Sequence, residues 1–234
     1  MPPRWHIRYE TARALRRGER ELAFLPFLVP AGSVAIDAGA NKGVWSEVLR
    51  RRCRTVHAFE PNPKIFRILA RGAGPGVEVH KVALSDHTGT AELRVPRNQG
   101  GNYSNQGASL STVKVGDGAY GSVMINARRL DDYGFDNVGF IKIDVEGFEL
   151  AVLAGAGATL ARCRPNLVVE IEEKHAKLPI ADMLATICAH GYEAFALVGG
   201  VLRRVAGLDL VAHHTAPARR EDYVFNWIFL PLAN

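Results

Sequence analysis

The sequence predicts an α/β fold: a mostly parallel sheet, helices on both faces, and an antiparallel strand at the C-terminus. Three observations carry this. Short apolar runs alternate along the chain with segments whose apolar residues recur at helical spacing. The first run, residues 34–36, ends at Asp37 and a Gly-x-Asn-x-Gly turn (Gly39, Asn41, Gly43) that leads into a helical segment, VWSEVLRRR. Near the C-terminus two strand-like runs, YEAFAL and YVFNWIFLP, follow a single helical segment, the pattern of strands added beyond the last crossover helix.

Each element follows in order. Residues 9–25 read as a helical lead-in broken at Gly18, and Pro26 and Pro30 end it before the first strand. This divides the chain into a lead-in over 1–30 and a principal domain over 31–234. Val56, Ala58 and Phe59 form a second strand that ends at Glu60, and Pro61 and Pro63 bend the chain into a helix around 65–70. A third strand, VEVHKVAL, runs to Ser85 and Asp86. The segments AELRV and SVMINA read as a β-hairpin insertion around a Gly/Asn/Ser-rich loop, residues 98–109.

The fourth core strand, FIKIDVEGFE, alternates. Ile141, Ile143 and Val145 share one face; Phe140, Lys142 and Asp144 share the other. A lysine inside a central parallel strand requires a charged partner. Gly147 then turns the chain into one helix, FELAVLAGAGATLAR. Pro165 opens the fifth strand, NLVVEIEE, with Glu170 and Glu172 on the face of Val168, and His175 follows in a loop.

Strand, glycine-rich turn and helix are the parts of the first unit of a Rossmann-like, nucleotide-binding sheet. The turn separates two ligand classes. A dinucleotide fingerprint needs Gly-x-Gly-x-x-Gly to hold a pyrophosphate at a helix N-terminus. Here Asn41 and Val44 take the second and third glycine positions. An acid directly before the turn repels a pyrophosphate, whereas Asp37 suits an ammonium. S-adenosyl-L-methionine carries an ammonium and a sulfonium and no phosphate, so the turn, Ala40 included, favours it over NAD. Gly39 allows a sharp turn and close ligand approach, and Gly43 allows close contact at the helix start.

Glu60 stands 23 residues after Asp37, at the end of the second strand, where a Rossmann-type sheet places its ribose-binding acid. Its two oxygens can accept both ribose hydroxyls, and Pro61 shapes the turn beside them. Ser85 and Asp86 stand where adenine is held in such sheets. Asp144 is placed for the methionine end.

Composition sets bounds. At 234 residues, with 47% hydrophobic and 23% charged residues, the chain has material for one sizeable core. Cys53, Cys163 and Cys188 form no metal spacing and no even disulfide set, which suits a reducing, cytoplasmic setting. The N-terminus lacks the apolar stretch of a signal peptide, and no apolar run reaches a membrane span. The net charge of +5 comes mainly from arginine. Arg50, Arg51, Arg52 and Arg54 cluster at the end of the first core helix, where cations match the dipole, so the charge does not by itself indicate nucleic acid.

With these stretches in view, the chain resembles the FkbM-type family of S-adenosylmethionine-dependent class I methyltransferases. IDAGANKG, HAFEPNP, VALSD, FIKIDVEGFELAVLAGA and PNLVVEIE carry the resemblance, in family order over residues 33–172. The pairing of AFEPNP with IKIDVEGFE is the specific part. The resemblance implies methylation of a hydroxyl oxygen on a small molecule, a sugar or glycolipid, or a polyketide-type product. Residues 176–234 carry no motif that names the acceptor.

In such a reaction the protein aligns a hydroxyl, excludes water and supplies a base. Glu146 and His175 are both candidates for the base, and Lys142 stands beneath Asp144 to offset part of the acids' charge. A divalent metal such as magnesium is the less favoured means of compensation, because no acidic pair follows strand five to complete a site. Two alternatives stand beside this reading. A nucleic-acid or protein methyltransferase is disfavoured because strand four ends in Asp-Val-Glu-Gly, not in an Asn/Asp-Pro-Pro-aromatic turn. A non-catalytic cofactor-binding partner predicts loss of the acids of strands four and five, all of which are present. The expected partner is a small-molecule hydroxyl acceptor, and oligomeric state is open.

Overall fold

A strand that is apolar on both faces is stable only between two covering layers. Val34–Ala38 is such a strand, buried along its whole length, and the rest of the main sheet is built outward from it. The fold is that of a computed structural model describing residues 3–17, 19–96, 109–110, 120–176 and 178–233.

The strands are β1 (Val34–Ala38), β2 (Thr55–Phe59), β3 (Val77–His80), β4 (Ala83–Leu84), β5 (Gly89–Pro96), β6 (Tyr120–Arg128), β7 (Val138–Ile143), β8 (Asn166–Glu170), β9 (Tyr192–Val198), β10 (Val201–Arg204) and β11 (Asn226–Pro231). Eight form the main sheet in the order β10-β9-β11-β8-β7-β1-β2-β3. β3, β2, β1, β7 and β8 are mutually parallel, and β11 runs antiparallel beside β8. Chain order reverses between β1 and β7, so their carboxyl ends open a crevice at a topological switch point.

Alternation sorts the core into two faces. Ile36, Ile141, Ile143 and Val169 pack with Val152, Leu160, Met183 and Ile187 of the helices Glu149–Ala154, Gly157–Cys163 and Ile180–Cys188. Ala35, Val56, Phe140, Val168 and Ile228 pack on the other side against Leu22, Leu25, Trp45 and Leu49. The expected α/β architecture is therefore present, antiparallel C-terminal strand included.

The lead-in forms α1 (Pro3–Arg17), a 3₁₀ turn (Arg20–Phe24) and α2 (Leu25–Leu28). α1 packs across α3 (Val44–Leu49) and α4 (Pro63–Gly72), burying Ile7 and Thr11. Gly18, expected as a break, and residues 98–108 of the expected loop lie outside the described residues.

Two expectations need correction, and one strand was not foreseen. The stretch VEVHKVAL is two strands in two sheets, not one. After His80 the chain leaves the main sheet, and Ala83 and Leu84 pair with Ala127 and Arg128 of the insertion. There Ala83 packs with Leu93, Val95 and Ile125, while β5 and β6 form the expected hairpin. The helix after Gly147 is likewise two helices, Glu149–Ala154 and Gly157–Cys163. Gly155 sits at the break because the chain at Ser85 crosses there: a Cβ on Gly155 would lie 1.9 Å from the Ser85 carbonyl oxygen. Finally, β10 pairs with β9 across Gly199 and Gly200, a two-residue turn whose Gly-Gly signal was present in the sequence.

This crossing makes a paired prediction. Gly155→Ala forces backbone apart and should cost about 1–3 kcal/mol, the usual range for overpacking. Gly157→Ala, where a Cβ meets nothing within 4 Å, should leave stability unchanged or raise it by up to about 1 kcal/mol. Urea unfolding of both variants beside the parent checks the contrast.

Candidate active site

The turn after β1 meets the end of β7 at van der Waals limits. Gly39 has φ +79°, and a Cβ on it would lie 1.8 Å from the carbonyl oxygen of Asp144. The peptide N–H groups of Gly39 and Ala40 both donate to the Phe59 carbonyl, at 3.0 and 2.9 Å. Asn41, in the left-handed region at φ +48°, donates its N–H to Glu60 Oε2 at 3.0 Å. Asn62 N–H donates to Glu60 Oε1 at 2.8 Å. Gly43 (φ +89°) caps α3 and is closed against Leu69.

Two cavities meet at this turn and share Gly39, Asn41 and Asp144. The first, about 690 Å³ with its open mouth, is walled by Phe59, Glu60, Pro61, Leu84, Glu146 and Phe148. The second, about 1350 Å³ with its mouth, is walled by Glu19, Asp37, Ala40, Trp45 and Lys142, and by Glu10 of α1. The lead-in thus borders the site as well as covering the sheet.

The second cavity is acidic around one cation. Lys142, 1% exposed, donates from Nζ to Asn226 Oδ1 at 2.9 Å and lies 5.1 Å from the centre of the Trp45 ring. The Trp45 indole N–H donates to Glu19, and Asn226 Nδ2 to Glu21 Oε2 at 3.3 Å. Burial pushes the Asp37 carboxyl up to about 6, although Ser46 Oγ donates to Asp37 Oδ2 at 2.5 Å and Lys142 favours its charge. Burial pushes Glu60 up to about 7 against its two backbone donors. Glu170 goes up to about 8 through burial and the neighbouring Asp144 charge.

The first cavity ends at a different set of groups. Glu146 holds φ +61°, a strained conformation for a residue with a side chain. A Cβ on Gly147 would lie 2.6 Å from the His175 carbonyl, so this turn is pressed onto the His175 backbone. His175 Nδ1 lies 3.4 Å from Glu146 Oε2 and 3.8 Å from Glu172 Oε1. Burial opposes charge on Glu172, yet the Lys174 ammonium, the Tyr223 hydroxyl (2.6 Å) and His175 hold it below the usual range.

Most residues singled out in the sequence therefore meet around one turn: Asp37, Gly39, Ala40, Asn41, Glu60, Pro61, Lys142, Asp144 and Glu146 line the two cavities. His175 stands behind Glu146, in a short helix (Glu173–Ala176) and not in the loop expected for it. Gly43, Ser85 and Asp86 line neither cavity. Ser85 is fully buried beside Gly155, and Asp86 faces solvent, bonded to His87 at 2.7 Å. Leu84, with Val82 and Ala83, forms the wall instead. Sequence reasoning missed Asn226, Trp45 and Glu19 as the groups around Lys142. An asparagine between Phe225 and Trp227 in an apolar strand was the available signal.

A family pattern described as the methyltransferase FkbM domain matches residues 37–194, more than half of the chain. The chain belongs to the FkbM family and is a methyltransferase. It is 27% identical over 188 residues to the methyltransferase sdnD of Sordaria araneosa, covering 67% of this chain and 73% of that one. It is 29% identical over 149 residues to the 2-O-methyltransferase NoeI of Sinorhizobium fredii, covering 56% of this chain and 60% of NoeI, less than two thirds of that protein. Its fold matches a Streptococcus mutans protein solved in complex with SAH, at TM-score 0.52 and 9% identity, over 92% of this chain and 97% of the other. No helix among the described residues is long and apolar enough to cross a membrane.

The raised acids of this methyltransferase set a pH dependence. Asp37 and Glu170 bind a proton more tightly folded than unfolded, so the stability they contribute is full below about pH 4 and is lost as pH rises through about 6 and about 8. The urea midpoint of the ligand-free protein should fall between pH 5 and 8, and Glu170→Gln should flatten the upper part of that fall. A midpoint that rises across this window contradicts the assignment.

Proposed function

We propose that this methyltransferase uses S-adenosyl-L-methionine to methylate a hydroxyl oxygen of a small molecule, a sugar or glycolipid, or a polyketide-type product. The carrying observation is the pair of cavities joined at Gly39. One end is acidic and suits an ammonium; the other joins the Glu60 carboxylate to an apolar wall and suits a nucleoside. The chain's similarity to NoeI, a 2-O-methyltransferase, supports oxygen as the acceptor atom.

Asp37, Asp144 and the backbone of Gly39, Ala40 and Asn41 would hold the methionine end. Glu60 would take the ribose. Each of its oxygens already accepts one backbone N–H, and a carboxylate has about four acceptor sites, so two remain for the two hydroxyls. Phe59, Pro61, Val82 and Leu84 would flank the base. The bound cofactor supplies an activated methyl on a sulfonium.

The chain's own work is then to align the acceptor oxygen, exclude water and take its proton. Glu146 is the proton acceptor, because it lines the first cavity beside Asp144. His175 positions Glu146 from behind, held in turn by Glu172. Lys142 balances the acids of the methionine end, so no metal ion is required for charge compensation there.

Two measurements test this. By calorimetry the protein should bind S-adenosylhomocysteine and not NAD, and Glu60→Ala should weaken that binding about ten- to a hundredfold, the worth of hydrogen bonds to a charged group. Because Glu60 also pins Asn41 and Asn62, the variant should melt lower than the parent, so binding is measured well below its midpoint. In single-turnover methyl transfer at saturating cofactor, Glu146→Gln should slow transfer by at least about a hundredfold with S-adenosylhomocysteine affinity unchanged. Unchanged transfer removes Glu146 as the base; loss on EDTA with rescue by magnesium restores a metal step.

A further inference from the structure

A second cluster of metal-ligating side chains lies at the edge of the main sheet, outside the transfer site. In the register of β2 and β3, His57 stands opposite Glu78 and Phe59 opposite His80, so alternation puts all four side chains on one face. His57 Nδ1 lies 3.2 Å from His80 Nε2 and 3.4 Å from Glu78 Oε2. One ligand atom from each of the three lies within 4.8 Å of the others, a grouping found among the described residues.

These spacings have a chemical meaning. Zn²⁺ bonds of ~2.0–2.1 Å in a tetrahedron put neighbouring ligand atoms about 3.3–3.4 Å apart. Two imidazoles and a carboxylate are one of the ligand sets this ion takes. The rings are also held in place. His57 stacks on Phe135 with centroids 3.9 Å apart, and His80 stacks on Phe59 at 4.5 Å. Tyr133 stands edge-on to both Phe59 and His80. Burial pushes both histidines down, toward the neutral form that coordinates a metal. The Glu78 side chain is 63% exposed, which leaves a path from solvent and room for a water as fourth ligand.

We propose that His57, Glu78 and His80 form a Zn²⁺ site that clamps the edge strand β3 to β2. Its effect reaches the neighbouring cavity through backbone. The Glu60 N–H donates to the His80 carbonyl at 3.0 Å, and Phe59 joins the cluster to the cavity wall. Occupancy therefore stiffens the strand end that presents Glu60.

The test uses the full chain, stripped with EDTA and dialysed, then titrated with ZnCl₂ by calorimetry and with Co²⁺ by absorption. One Zn²⁺ should bind per chain and raise the melting temperature, and Co²⁺ should give the intense visible bands of a tetrahedral site. His57→Gln, His80→Gln and Glu78→Gln should each weaken Zn²⁺ binding at least about tenfold and abolish the melting shift. Glu78 is exposed, so its variant keeps the test valid if a histidine variant fails to fold. Three outcomes overturn the proposal: no saturable binding, affinity unchanged in the folded variants, or a sulfur-to-cobalt charge-transfer band that places the ion on a cysteine. None of these readouts depends on methyl transfer, so failure here and failure of the proposed reaction are separable.

Discussion

The ammonium of Lys142 is the charge around which the acidic end of the crevice is assembled. It favours the ionised forms of Asp37, Glu19, Glu21 and Glu170, each of which burial drives toward the neutral acid. The lysine is itself costly to bury. Three parts of the chain share in holding it: Asn226 of β11 accepts from it, the Trp45 ring of α3 lies over it, and Glu19 of the lead-in is tied to Trp45. Removing any one of them would leave a buried charge less well matched. The C-terminal strand and the N-terminal lead-in are therefore parts of the same site, although neither carries the family's sequence stretches.

Width is set by a second constraint, the contact of Gly39 with the Asp144 carbonyl. β1 and β7 are adjacent and parallel, so their outgoing loops leave from the same edge and must cross close together. Only a residue without a Cβ fits at 39. Glu60 then fixes the turn from the far side by accepting from Asn41 and Asn62. The turn thus reaches its shape through backbone contacts and one buried carboxylate, a preorganisation that lowers the cost of ordering a ligand on it.

How far this was legible in the sequence follows from the range of each interaction. Asp37, Gly39, Asn41 and Gly43 lie within one strand–turn–helix unit, and their spacing is enough to place them there. Glu60 was legible because a Rossmann-type sheet puts consecutive strands side by side. Lys142 announced that it needed a partner, expected to be charged, but the acceptor is the neutral amide of Asn226, 84 residues away, which reaches it only through the antiparallel insertion of β11. The split of VEVHKVAL was hidden for a related reason. Its pattern is continuous, and what divides it is competition between two sheets for Ala83 and Leu84. The same division moved Ser85 and Asp86 away from the cavities, because the chain has already turned under Gly155 when it reaches them.

Carboxylates around the crevice are perturbed in opposite directions. Asp37 in the acidic cavity, Glu60 in the wall of the other and Glu170 at the end of β8 are all pushed up by burial, a penalty that the proposed ammonium and ribose hydroxyls would relieve at Asp37 and Glu60. At the Glu146 end, Glu172 is held down by Lys174, Tyr223 and His175, and stays a fixed negative charge behind the histidine. Environments that drive neighbouring acids apart are how acid and base roles are separated within one site. Glu146 sits beside them at positive φ, its carbonyl accepting from Ser109 Oγ at 2.6 Å and the next residue, Gly147, pressed onto the His175 backbone. Strain of this kind persists only where surrounding packing enforces it. Here that packing brings Glu146 to the cavity wall beside Asp144, the place that the proposed reaction gives to the acceptor oxygen.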